Sequence, residues 1–334
     1  MKIILGQYHG FYIFEDFFVG SCPPEFNDWR ERIDWMGTVV RSEDFGDVSV
    51  SICHDLMLVM RVKSIEETSF NENTSQTDFR ELGKYADYAN CITLFFENAF
   101  DQFCKDDKGF FPSEVNSRDI ISVYQEENSF RVSSHAPNGF AEKCVTLFRS
   151  RVTYTEAQAI YGSYESYLLP DEVIDTFFEQ CRGVLEDYGK VRLLSQIMKS
   201  LSEFRFGSRE TAFILAWFAI ETMIQKQYDE WLEGKQIEYS DGSKRLNSDR
   251  KDLLTGRDYS VSTMTNILEL SDVYSYELFK TINKARKIRN DIVHNQHRCS
   301  PEECQLVMSL AAQLIKFHHD IEIELDDRFP MYLW

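Results

Sequence analysis

The apolar residues change their repeat near Pro170, and a chain that does this must fold as two differently built parts. Upstream, Val48-Ser49-Val50-Ser51-Ile52 alternates with period two. Together with Thr38-Val39-Val40 and the turn residues Asp44-Phe45-Gly46-Asp47, it predicts a hairpin over 37–52. Downstream, Phe213, Trp217, Ile220, Ile224 and Trp231 recur every three or four residues, which places them on one buried helix face. The expected class is therefore α+β: a β-rich domain over 1–165, an all-α helical bundle over 170–320 and a tail over 321–334.

Further strand signals in the first part lie within 2–19 and at 56–62, 120–125, 129–134 and 144–154. A helix is predicted over 85–103, and the Asn- and Ser-rich stretch 66–77 reads as a loop. The second part predicts helices over 171–187, 190–205, 208–233, 261–270 and 273–296. Pro170-Asp171-Glu172 suits a helix start, with acids at the positive dipole end, and Ser208 is a suitable N-cap. Ser300-Pro301-Glu302-Glu303 has a capping-box pattern and opens a last helix through Leu306, Leu310, Leu314 and Phe317. Residues 234–259 are rich in Gly, Ser and charge, and read as irregular.

No apolar run is long enough to span a bilayer, and Met1-Lys2-Ile3-Ile4-Leu5-Gly6 lacks the apolar core and cleavage site of a signal peptide. The expectation is a cytoplasmic protein without a membrane partner. The eight cysteines are scattered with no CxxC pair, the usage of reduced, buried thiols. The nearest approach to a metal-ligand cluster is His294, His297, Cys299 and Cys304, which has no second cluster to match it. No metal and no cofactor is expected.

The formal net charge of −19 argues against a broad nucleic-acid-coating surface. Against that background, residues 280–298 hold six basic residues (Lys280, Lys284, Arg286, Lys287, Arg289, Arg298) and one acid, Asp291. Lys284, Arg286 and Lys287 read either as a solvated helix face or as contacts to an RNA backbone. In the same helix Leu278, Ile282, Ala285 and Ile292 form a narrow apolar stripe, and Arg289 projects from its middle. A guanidinium there is costly unless it is paired or faces a polar cleft. His294 follows five residues later, about 140° around an ideal helix, whereas Asn290 lies four residues before His294 on its side. Arg289 and His294 converge only if the arginine bends across, the helix is distorted, or a second subunit completes the site.

Arg289-Asn290-x-x-x-His294, with Ile292-Val293 before the histidine, resembles the Arg-x4–6-His motif of HEPN domains. Ala216-Trp217-Phe218-Ala219-Ile220-Glu221 resembles the helix beside that motif in the abortive-infection, ApeA-like branch. The resemblance covers roughly 170–320. It implies a helical bundle that forms a homodimer with both motifs at a shared cleft. It also implies metal-independent RNA cleavage in which the 2′-OH attacks, leaving a 2′,3′-cyclic phosphate and a 5′-OH. The implied catalytic residues are Arg289, His294 and Asn290: His294 exchanges protons, Arg289 holds phosphate oxygens, and Asn290 orients His294 or bonds the phosphate. Glu221 is expected to support the site by pairing with Arg289. An antiphage or toxin role follows by analogy, with RNA as substrate and the first domain sensing a phage-derived trigger or binding a regulatory protein. The alternative is a catalytically silent HEPN module that binds a partner protein or a nucleotide.

Overall fold

Asp44 accepts the Gly46 N–H at 2.8 Å, and Gly46 takes a positive φ of 81°, which closes the hairpin read from 37–52. Its strands are β3 (Val39–Phe45) and β4 (Val48–Cys53), paired from Phe45↔Val48 back to Val39↔Cys53. The computed structural model describes residues 8–13, 17–21, 23–26, 28–65, 79–104, 112–132, 167–256 and 259–325. The loop expected at 66–77 and the strand expected at 144–154 lie outside them.

The other elements of the first part are β1 (Tyr8–Tyr12), β2 (Phe17–Phe18), α1 (Trp29–Met36), β5 (Met57–Val62), α2 (Phe79–Cys104), β6 (Ile121–Glu126), β7 (Ser129–Val132) and β8 (Tyr167–Leu168). Six strands form one antiparallel sheet in the order β3-β4-β5-β1-β6-β7. The two ends of that order meet. Thr38 bridges Ser129, Phe130 N–H donates to Gly37 O at 2.7 Å, and Val39 N–H donates to Asn128 O at 2.9 Å. The sheet therefore curls on itself around Tyr12, Cys53, Met57, Val59, Ile121, Val123 and Phe130. Gly10 faces this tight interior, where a Cβ would stand 3.3 Å from Val123 Cγ1.

α2 lies on the outer face of β1, where His9 stacks on Tyr85 with ring centroids 3.9 Å apart. α3 (Asp171–Cys181) packs on α2, with Phe177 against Phe96 at 5.6 Å, while Phe178 meets Phe45 at 6.3 Å. Because these aromatic partners come from the first part, the chain's two compact units divide at Met198/Lys199, inside α4 (Tyr188–Arg205). The change of sequence texture near Pro170 thus precedes the division of the fold.

The second unit is built around α5 (Arg209–Glu233), which packs against α7 (Val261–Leu270), α8 (Tyr276–Asn295) and α9 (Pro301–His319). Trp217, Phe213, Ile220 and Ile224 of α5 are fully buried, as the 3–4 spacing requires. A β-rich region followed by an all-α bundle makes the chain α+β. Two local expectations are corrected. Ser208 precedes α5 but its side chain caps nothing, because its ψ of 61° departs from the extended geometry of a capping residue. Within the segment read as irregular, Ser248–Leu254 forms the short helix α6, started by Asn247 accepting the Arg250 N–H. None of its residues is buried, so it leaves no apolar period to read.

Candidate active site

α8 owes its position to two ends of different chemistry. Ser275 accepts the Leu278 N–H at 3.2 Å and starts the helix. Gln296, left-handed at φ 53°, stops it, and His297 N–H donates to Asp291 O at 3.2 Å. Ser300 and Glu303 then form the expected capping box of α9, with Ser300 N–H donating to the Glu303 carboxylate at 2.8 Å. The segment after Arg289 is thereby held between a closed helix end and a fixed helix start.

Along α8, Leu278, Ile282 and Ala285 are buried, and Arg289 and Ile292 continue their line at intermediate exposure. Arg289 Nη1 donates to Asn290 Oδ1 at 3.2 Å. Its Nε is buried and has no hydrogen-bond partner among the described residues. A buried unpaired N–H of a cation is an expensive group. His294 sits in the last turn, exposed, at the negative end of the helix dipole. Five residues of helix separate the Arg289 and His294 Cα atoms by about 8–9 Å, with the side chains diverging by about 140°. The helix is regular here, so Arg289 and Asn290 meet and His294 does not join them within one chain.

Asp291, the acid that would repel a phosphate, is exposed, and its carboxylate accepts the Asn295 amide at 3.0 Å. It lies about 160° from Arg289 around the axis. Lys284 and Lys287 are exposed. Arg286 Nε donates to Asn283 Oδ1 at 3.3 Å, a second guanidinium–amide pair on this helix. Asn283 was not among the residues singled out from the sequence; its spacing of seven from Asn290 was the available signal.

Glu221 does not pair with Arg289. It lines an open groove of about 690 Å³ between α5 and the start of α7, with Gln225, Asp229, Glu233, Tyr259 and Met264. Residues 221, 225, 229 and 233 follow one flank of α5, and the α8 arginine is not on it. His294, His297, Cys299 and Cys304 do not gather at one point, although the two cysteines meet. His297 Nε2 contacts the Glu303 carboxylate at 3.0 Å, while Cys299 Sγ lies 3.3 Å from Cys304 Sγ. Hydrogen bonding to Cys304 and burial push the Cys299 thiol well up from its ordinary value. Among the described residues no three His, Cys, Asp or Glu side chains are grouped to hold a metal ion. No helix among them is long and apolar enough to cross a membrane.

Comparison with protein-family models, with curated proteins and with solved structures finds no match to this chain.

Proposed function

We propose that this protein is an endoribonuclease of the HEPN type, with Arg289, Asn290 and His294 as its catalytic residues. The observation that carries the reading is Arg289 itself. It stands on the core-facing line of α8, its fork engaged only by a neutral amide, with one buried N–H still to be satisfied. The Nη groups of the same fork are not buried in this way, and a phosphate oxygen there supplies the negative charge that the guanidinium lacks among the described residues.

In the reaction, the 2′-oxygen attacks the adjacent phosphorus, the bond from phosphorus to the 5′-oxygen breaks, and a cyclic phosphate and a 5′-OH form. A proton leaves the 2′-OH and a proton reaches the departing 5′-oxygen, so the step balances without a further reactant. His294 handles these protons, being exposed to an incoming strand and carrying an imidazole that can both accept and donate one. Arg289 binds the charge that develops on the phosphate oxygens. Because one helix holds the arginine and histidine apart, the working cleft joins two copies of the chain through their helical units. The β-rich unit then has the role of sensing a phage-derived trigger or regulatory protein, in defence or growth arrest.

The test is RNA cleavage by the full chain in excess chelator, beside Arg289→Ala and His294→Ala, with the solution mass recorded. A dimer whose activity disappears in both variants is the expected result. Equal residual cleavage in all three proteins, or full activity from a strict monomer, would overturn the proposal.

A further inference from the structure

Two guanidinium–amide pairs stand on one side of α8. Asn290 accepts from Arg289, and Asn283 accepts from Arg286. Around an ideal helix Arg286 and Arg289 are about 60° apart and separated by a rise of about 4.5 Å, so their side chains are neighbours. In each pair the amide oxygen accepts from the guanidinium, which leaves the amide N–H groups and the remaining Nη N–H groups of the arginines as donors.

Acids outnumber bases 55 to 36 in this chain, and Arg41, Arg131 and Arg182 are all bonded to carboxylates. Arg286 and Arg289 form no ion pair among the described residues and are braced by neutral amides instead. No carboxylate of the described residues neutralises their positive charge. Asp291, about 160° from Arg289 around the axis, is turned away with its carboxylate on Asn295. A planar fork with free N–H groups matches the paired oxygens of a phosphodiester.

We propose that Arg286, braced by Asn283, is a second phosphate-holding position beside Arg289, so that the ligand is a stretch of RNA backbone carrying two neighbouring phosphodiesters. The inference rests on the ribonuclease reading for the identity of the first phosphate. It adds a minimum ligand and a residue that binds without taking part in proton transfer.

The experiment uses 2′-O-methyl oligonucleotides, which bind but cannot be cleaved through the 2′-oxygen. A trinucleotide with two phosphodiesters and a dinucleotide with one compete against a fluorescent 2′-O-methyl oligouridine on the full chain. The wild type should prefer the trinucleotide by about tenfold, the worth of one charge-assisted contact. Arg286→Ala should lose that preference while its dinucleotide affinity stays unchanged, which also shows that the variant is folded. Arg286→Lys, with the charge but not the fork, should fall between, and Asn283→Ala should lose part of the preference. The slope of log affinity against log salt for the oligouridine should fall by about 0.7 in Arg286→Ala, one phosphate contact fewer.

A preference retained in Arg286→Ala, no preference in the wild type, or no binding of oligouridine would overturn the proposal. A wild type that shows the preference yet never cleaves RNA removes the ribonuclease reading and leaves the two phosphate positions. Cleavage with an unaltered Arg286→Ala binding profile does the reverse.

Discussion

Replacing His9 by Phe should remove one histidine's share of the first unit's sensitivity to mild acid. His9 is 2% exposed, between β1 and α2, and both its ring nitrogens are buried without a hydrogen-bond partner. Burial favours the neutral ring and pushes its pKa down from 6.5 to about 4. Between those two values the unfolded chain binds a proton that the folded chain refuses, so stability falls as pH falls through the window. Integrating that difference gives a loss of about 2 kcal/mol between about pH 7.5 and about pH 5.

Phe keeps the ring that stacks on Tyr85 and removes the proton site along with two unsatisfied nitrogens. The variant should therefore equal or exceed the wild type near neutrality, and its advantage should grow by about 2 kcal/mol at about pH 5. Hydrogen exchange of β1, β5 and α2 amides at the two pH values measures this for the first unit alone. Carboxylates titrate in both proteins and cancel in the comparison. An advantage of the same size at both pH values would mean that the His9 ring is protonated as readily in the fold as outside it, which refutes the reasoning.

Gly37→Ala should destabilise the closure of the sheet by about 1–3 kcal/mol, since the new Cβ would meet Phe130 O at 2.2 Å; urea unfolding followed by exchange of the β3 and β7 amides checks it, and an unchanged midpoint contradicts it. Glu221→Gln should leave RNA cleavage within about twofold of the wild type, because the carboxylate lies in the α5–α7 groove and not on Arg289. A large loss of rate in Glu221→Gln would restore its supporting role.

What was legible in the sequence is what local physics decides. The 44–47 turn, the Ser300–Glu303 box and the buried line of α8 with Arg289 in it all follow from spacing a few residues long. What was not legible depends on partners far along the chain. Phe177 and Phe178 carry a helical period, but only Phe96 and Phe45 decide that α3 belongs with the first unit. Glu221 flanks the α5 stripe as its phase requires, yet phase cannot say which neighbour that flank meets. α6 has no buried residue, and Asn247 and the Lys251–Glu233 contact at 2.9 Å hold it where hydrophobic pattern is silent. At the candidate site, spacing placed Arg289 and His294 on one helix about 140° apart, which left their meeting to a bent arginine, a distorted helix or a second subunit.

The chemistry of the product ends tests the central claim most directly. Mass spectrometry of an RNA oligonucleotide after incubation with the full chain in excess chelator should find a 2′,3′-cyclic phosphate on one fragment and a 5′-OH on the other, and neither with His294→Ala. Fragments ending in 3′-OH and 5′-phosphate, or cyclic-phosphate ends undiminished in His294→Ala, would contradict cleavage through the 2′-oxygen by this histidine.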